Sequence, residues 1–185
     1  YMSNFFPIFL KKCHHTAFYA PDAPYPCSHA EEGRQWFEFD PEQGVDFYKH
    51  NQHVESSTHI IDELILAATK AFNLPLQRII LSGYSQGGVM TLAEGTRHNL
   101  AGLLVFAGVL LTPHTIQSAH DNSPEIMFIH GRNDEVMPLA ALEYTKQILL
   151  EKDYKLQTVV CEGSGHSMNE LSLEPAIQFV RDRLK

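Results

Sequence analysis

The sequence predicts an α/β fold with a mainly parallel sheet and helices on both of its faces. From residue 79 onward, short and continuously apolar segments alternate with helical ones, which is typical of strands buried on both sides. Residues 53–72 carry apolar side chains at three- and four-residue intervals, which indicates an amphipathic helix. The 185 residues are 44% hydrophobic and 19% charged, enough to bury a core. We expect residues 1–185 to form a single domain.

The N-terminal region gives weaker signals than the rest of the chain. Residues 4–13 indicate a helix, and a short apolar stretch predicts a strand over 16–20. The proline-rich segment 21–35 predicts a loop, and residues 36–40 are expected to be extended or irregular.

The C-terminal region repeats a strand-then-helix pattern. Each strand is a short apolar run, and Pro138 is suited to the first position of a helix. A loop with a helical turn is expected between the second strand and residue 122. The predicted strands are 79–82, 103–107, 126–130 and 157–161, and the predicted helices are 86–98, 139–152 and 173–185.

The run Gly83-Tyr84-Ser85-Gln86-Gly87 lies between a predicted strand and a predicted helix. A serine on a sharp turn in this context is typical of a nucleophile elbow. We expect the two glycines to permit the tight turn, because a Cβ atom would clash there. The Ser85 hydroxyl would then stand clear of the sheet. The backbone N–H of Gln86, at the start of the helix, would point to where a substrate oxyanion forms.

Two further residues complete a candidate Ser-His-Asp triad. A nucleophilic serine needs a base to accept its proton, and the base needs an acid to orient it. Asp134 follows the strand 126–130 and His166 follows the strand 157–161, in the chain order serine, acid, histidine that this kind of site uses. The carboxyl ends of parallel strands share one edge of a sheet, so we expect Ser85, Asp134 and His166 to converge.

Nearby residues offer alternatives to this assignment. Glu135 and Glu162 are competing acids, but Glu135 is expected to point away from the site and Glu162 lies very near His166 along the chain. His130 ends a strand before a glycine, and we interpret it as structural.

Charge and hydropathy exclude several classes of function. The net charge is −8 and no cluster of Lys or Arg is present, so we expect no nucleic-acid partner. The same charge disfavours an anionic membrane surface. No apolar run reaches the ~20 residues needed to span a bilayer, so stable membrane insertion is not expected.

The cysteines and histidines give no sign of a metal or disulfide framework. Three widely spaced cysteines, an odd number, fit reduced thiols and a cytoplasmic protein. The pairs His14/His15 and His50/His53 lack a recognisable ligand spacing, so we expect neither a metal nor a cofactor.

Three segments together resemble the phospholipase/carboxylesterase family of α/β-hydrolases, which includes acyl-protein thioesterases and bacterial carboxylesterases. They are GYSQGG at 83–88, HGRNDEVMP at 130–138 and GSGH at 163–166. Looser similarity at 20–24, 33–37 and 106–113 extends the resemblance from about residue 16 to the end of the chain.

The resemblance implies an α/β-hydrolase fold apparently without its N-terminal strands. Family members begin with two or more strands and a His-Gly loop that supplies a second oxyanion N–H. In this sequence Tyr1–Cys13 resembles the helix after that loop, so we expect a further segment upstream of Tyr1.

The predicted function is hydrolysis of carboxylic esters or thioesters through an acyl-enzyme. Expected substrates are small acyl esters, lysophospholipids or acylated proteins, and a homodimer is left open. Two alternatives stay open: a catalytically weak or inactive relic that binds acyl ligands or a protein, and a peptidase on the same fold. Expected substrate-binding residues are Trp36, Leu110, Leu111 and Met137.

Overall fold

We describe a computed structural model of the chain, covering residues 2–27, 32–38 and 47–185, without the side chains of residues 2, 3 and 47–50. Its strands and helices largely follow the predicted alternation. The strands are β1 (Tyr25–Pro26), β2 (Arg34–Gln35), β3 (Ile80–Tyr84), β4 (Gly102–Phe106), β5 (Ile126–Gly131) and β6 (Leu156–Cys161). The α-helices are α1 (Phe6–Lys12), α2 (Phe47–Phe72), α3 (Gln86–Gly95), α4 (Leu139–Glu151) and α5 (Glu170–Arg183), and short 3-10 helices cover Met2–Phe5, Leu76–Arg78 and Pro113–Thr115.

The main sheet is parallel and has the strand order β3-β4-β5-β6. Tyr84 pairs with Phe106, and Gly131 pairs with Cys161, so the carboxyl ends of the strands lie at one edge. The residues that follow β3, β5 and β6 are therefore neighbours in space. The strands β1 and β2 form a separate antiparallel pair within the proline-rich segment.

Apolar side chains cover both faces of the sheet, as the predicted fold requires. Alternate residues of β4 belong to different clusters: Leu103 and Val105 pack with residues of α2, α3 and α4, whereas Leu104 and Phe106 pack with residues of α1 and α5. This alternation follows from the two-residue period of a strand. Helices on both faces thus bury the central strands and hold their carboxyl ends in place.

Two N-terminal predictions need correction or fall outside the structure. Residues 16–20 form no strand in the described part of the chain. Instead, the ring of Phe18 lies 5.5 Å from the rings of both Phe6 and Phe9, so aromatic packing on α1 partly buries it. Residues 36–38 are irregular as expected, while residues 39 and 40 lie outside the described residues.

Several helix boundaries also differ from prediction. The helix α3 ends at Gly95 rather than at residue 98, and α2 begins at Phe47. The helix α5 begins at Glu170, where Asn169 and Ser172 form a capping box that satisfies N–H groups at its start. Among the described residues, no helix has the length and apolar character to cross a membrane.

Candidate active site

Ser85 changes the backbone from strand to helix within one residue. Its N–H donates to the Phe106 carbonyl at 2.9 Å, and its own carbonyl accepts the N–H of Val89 at 3.0 Å. The residue has φ 55° and ψ −118°, a conformation that non-glycine residues rarely adopt and that costs about 1–3 kcal/mol. This turn places the hydroxyl of Ser85 at the carboxyl edge of the sheet, immediately before α3.

Close backbone packing makes a glycine necessary on one side of this turn. A Cβ atom at Gly83 would lie 2.1 Å from the carbonyl carbon of Gly87. A Cβ at Gly87 itself would meet only the Trp36 indole nitrogen, at 3.9 Å, so crowding does not require a glycine there. The second crowded position is Gly88, whose Cβ would lie 3.0 Å from the Cα of Gly108. Our expectation of crowding was therefore correct for Gly83 and wrong for Gly87.

The structure brings Ser85, His166 and Asp134 into one hydrogen-bonded row. His166 Nε2 lies 2.9 Å from Ser85 Oγ, and His166 Nδ1 lies 2.8 Å from Asp134 Oδ2. A carboxylate can only accept, so Nδ1 carries the proton in the neutral imidazole. Nε2 is then left with a lone pair for the Ser85 hydroxyl proton. This is the geometry that a serine nucleophile and its base require.

The carboxylate of Asp134 is buried and held from two directions. While Oδ2 faces His166, Oδ1 accepts the N–H groups of Val136 at 3.0 Å and Met137 at 2.7 Å. Burial raises the pKa of Asp134, but the hydrogen bonds from His166 and the Met137 N–H, with electrostatic interactions with the His166 and His130 imidazoles, outweigh it and lower the pKa overall. The group is therefore an ionised acceptor at neutral pH.

A second histidine supports the same loop. His130 is buried, and its Nε2 donates to the carbonyl of Met137 at 2.7 Å and lies 3.5 Å from Asp134 Oδ2. The bond closes the turn that supplies the N–H groups to Asp134. This contact supports the structural interpretation of His130.

The competing acids lie elsewhere. Glu135 is exposed to solvent. Glu162 accepts a hydrogen bond from Arg132 Nε at 2.6 Å, and that bond lowers the pKa of Glu162. Of the acids considered, Asp134 is the one that faces the imidazole.

The side chain of Gln86 has contacts that the sequence did not predict. Its Oε1 accepts the N–H of Trp36 at 3.0 Å, and its Nε2 donates to the Phe37 carbonyl at 3.1 Å. From the other side, Ser57 on α2 donates to the Trp36 carbonyl at 2.7 Å. These bonds hold residues 36–37 beside the turn at Ser85. The one available signal was the amide side chain directly after Ser85, which has both a donor and an acceptor.

The predicted substrate-binding residues fall into two groups. Leu110, Leu111 and Met137 are at most 2% exposed and belong to the apolar cluster under α2, α3 and α4. Trp36 is only partly buried and packs against the edge of that cluster, next to Gly87. A role in substrate binding stays a prediction for all of them.

In the described ranges, one group of side chains has donor atoms close enough for a metal ion. Donor atoms of Asp62, Glu94 and His98 lie within 4.8 Å of one another between α2 and α3. His98 Nε2 is 2.9 Å from Glu94 and 3.4 Å from Asp62, and Arg97 lies 3.5 Å from Glu94. A hydrogen bond from His98 and an ion pair with Arg97 give the Glu94 carboxylate its partners. None of these residues belongs to the row at Ser85.

Solved structures of similar fold place this geometry in context. Esterase PE8 superposes with a TM-score of 0.88 at 24% identity, covering 98% of this chain and 85% of that one. The Bacillus cereus carboxylesterase has a TM-score of 0.80 at 15% identity, with coverage of 98% and 82%. At these identities the likeness shows the fold alone, and it confirms the predicted α/β-hydrolase fold.

Sequence relatives give the family. Acyl-protein thioesterase 1 homolog 2 of Dictyostelium discoideum is 30% identical over 175 residues, which are 89% of this chain and 76% of the relative. Acyl-protein thioesterase 1 of Eremothecium gossypii is 28% identical over 77% of this chain, which spans 61% of that relative's length. The model of the phospholipase/carboxylesterase family matches residues 3–184. With nearly the whole described chain matched, this protein belongs to the phospholipase/carboxylesterase family of hydrolases.

Proposed function

We propose that this protein is a serine hydrolase that cleaves carboxylic esters or thioesters through an acyl-enzyme. One observation supports this most directly: the 2.9 Å contact between Ser85 Oγ and His166 Nε2, continued at 2.8 Å to Asp134. Hydrolases of this kind need a nucleophile, a base and an acid in that geometry. Two relatives that carry the name acyl-protein thioesterase add support for acyl substrates.

In the proposed acylation step, Ser85 Oγ attacks the substrate carbonyl while His166 Nε2 accepts its proton. Asp134 keeps the imidazole in the reactive tautomer and stabilises the imidazolium that forms. The tetrahedral intermediate then collapses. His166 returns the proton to the departing alcohol or thiol, and the acyl group stays on Ser85 as an ester. Water activated by His166 hydrolyses that ester in the same way.

The oxyanion is proposed to bind at the N-terminus of α3. The first N–H groups of a helix lack partners within the helix, and Gln86 is the first residue of α3. Its N–H, aligned with the positive end of the helix dipole, would stabilise the negative oxygen. This donor belongs to the backbone and is independent of the Gln86 side chain.

The acyl chain is proposed to lie against Trp36, with Leu110, Leu111 and Met137 as deeper apolar contacts. Trp36 supports this placement best, because its backbone is bonded to Gln86, next to the nucleophile. Small acyl esters, lysophospholipids and acylated proteins all offer an acyl chain of this kind. A cytoplasmic location is also part of the proposal, since Cys13, Cys27 and Cys161 are free thiols.

The decisive experiment compares Ser85→Ala with the unmodified protein on p-nitrophenyl butyrate and on an acyl thioester. We expect turnover to fall by as much as ~10⁶, because the acyl-enzyme cannot form. A fluorophosphonate probe should label the unmodified protein and leave Ser85→Ala unlabelled. Ser118→Ala, which removes a hydroxyl from an exposed loop, is the matched control and should keep full activity.

The outcomes separate the alternatives. Retained activity in Ser85→Ala would contradict the proposal. An unmodified protein that binds acyl ligands without turnover or labelling would instead be a binding module. Faster cleavage of amides than of esters would favour a peptidase.

A further inference from the structure

We propose that Tyr84 is a positioning residue that fixes the base, His166, at its distance from the nucleophile. The Tyr84 hydroxyl donates to the backbone carbonyl of His166 at 2.8 Å. Its ring also packs against the imidazole, with centroids 5.1 Å apart and planes tilted by 39°. This inference rests on the proposed roles of Ser85 and His166.

The bond joins two distant parts of the chain at the point where they must act together. Tyr84 and His166 are 82 positions apart, and β3 and β6 lie at opposite edges of the four-stranded sheet. Tyr84 is the last residue of β3, so one peptide bond separates it from Ser85. A contact from Tyr84 to His166 therefore links the base to the nucleophile through rigid strand backbone.

Other contacts fix the histidine loop at its flanks. Asn133 donates its N–H to the Ser164 carbonyl at 2.9 Å, which ties the loop to the end of β5. After the histidine, the Ser167 N–H donates to the Gly165 carbonyl at 2.9 Å. The Tyr84 bond acts on residue 166 itself and comes from the side of the nucleophile. We therefore infer that the Tyr84 bond sets the position and orientation of the His166 imidazole relative to Ser85.

The ring and the hydroxyl make separable contributions. The aromatic face fills the space beside the imidazole, whereas the hydroxyl satisfies the His166 carbonyl. Replacing Tyr84 by Phe keeps the ring and leaves that carbonyl without its donor. The loop then gains freedom to move the imidazole away from Ser85. Small misplacements of a catalytic group cost up to about 10²-fold in rate.

The test is Tyr84→Phe, measured per competent site after titration with a fluorophosphonate. We expect kcat on p-nitrophenyl butyrate to fall by about tenfold with KM unchanged within about twofold, because the base and not the acyl site is displaced. The rate constant of phosphonylation should fall by the same factor. Hydrogen exchange of residues 162–169 should become faster.

A matched control distinguishes positioning from general destabilisation. Tyr154 is buried, and its hydroxyl donates to the Thr96 carbonyl at 3.3 Å, away from the site. Tyr154→Phe removes the same kind of bond and should leave kcat and phosphonylation unchanged, whatever its effect on Tm.

Two results would overturn the inference. One is a phosphonylation rate in Tyr84→Phe equal to that of the unmodified protein. The other is an equal loss of rate in Tyr154→Phe. Failure of the proposed function has a different signature: either Ser85→Ala would retain labelling or activity, or the unmodified protein would show neither.

Discussion

The two sides of Ser85 are built in different ways. On the side of His166 and Asp134, the loops that follow β5 and β6 are joined largely by backbone bonds and close glycine packing. A Cβ at Gly131, for example, would lie 2.2 Å from the Gly165 carbonyl oxygen. On the side of Trp36, an irregular segment is held by the side chains of Gln86 and Ser57. We infer that the first side sets the reaction geometry and that the second sets the shape offered to the substrate.

The largest effect that tests this contrast is expected on the first side. Asp134→Asn replaces the acceptor for His166 Nδ1 by a group that can present a donor there, which favours the wrong imidazole tautomer. We expect kcat to fall by about 10⁴-fold with little change in KM. Steady-state kinetics with p-nitrophenyl butyrate measures both.

Glu135→Gln is the control for Asp134→Asn, because it removes a neighbouring exposed carboxylate from the same loop. Its activity should be unchanged. If Asp134→Asn stayed within tenfold of the unmodified enzyme, Asp134 would not be the acid of the site.

A smaller effect, mainly on KM rather than on kcat, is expected on the side of Trp36. Gln86→Ala removes both bonds to residues 36–37 but keeps the backbone N–H at the start of α3. We expect KM for longer acyl chains to rise by about tenfold, with a smaller loss in kcat. The reason is that residues 36–37, proposed to contact the acyl chain, are loosened while the row at Ser85 is not. A series of p-nitrophenyl esters of increasing chain length measures the change.

Ser57→Ala gives an independent check on the role of residues 36–37, since it removes the bond to the Trp36 carbonyl without altering the turn at Ser85. Its KM should change in the same direction and less. Loss of kcat with constant KM in both variants would contradict the division between the two sides.

The smallest expected effect concerns stability in acid. The folded-state pKa of Asp134 is lowered from 3.8, so its ionisation stabilises the fold above that value. The contribution is lost as pH falls from about 4 through the lower folded-state pKa. Thermal melts between about pH 5 and pH 3 should therefore show a smaller fall in Tm for Asp134→Asn than for the unmodified protein.

Asp182→Asn is the comparison in those melts, since Asp182 is a more exposed acid whose pKa is lowered chiefly by its hydrogen bond with Lys185. We expect it to change the acid response less, because exposed ion pairs contribute little. If Tm fell equally with pH in Asp134→Asn and in the unmodified protein, the stabilising role of the buried carboxylate would be contradicted.

The sequence predicted the sheet and the row at Ser85 for the same physical reason. Continuous apolar runs identify buried parallel strands, and the polar residues just after those strands must meet at one edge. The contacts of Tyr84 and Gln86 were not predictable in this way, because they join segments 82 and 49–50 positions apart through single side chains. The strand predicted at 16–20 was wrong because an apolar run does not reveal whether a neighbouring strand lies alongside it.

The location of Trp36 makes the proposed reaction open to direct optical measurement. It is the sole tryptophan of the chain, and its indole nitrogen lies close to Gly87 in the first turn of α3, the helix that follows Ser85. Emission from an indole responds to the polarity around it. Arrival and departure of an acyl chain should therefore modulate ultraviolet fluorescence, so stopped-flow recording could time each half-reaction without an attached dye.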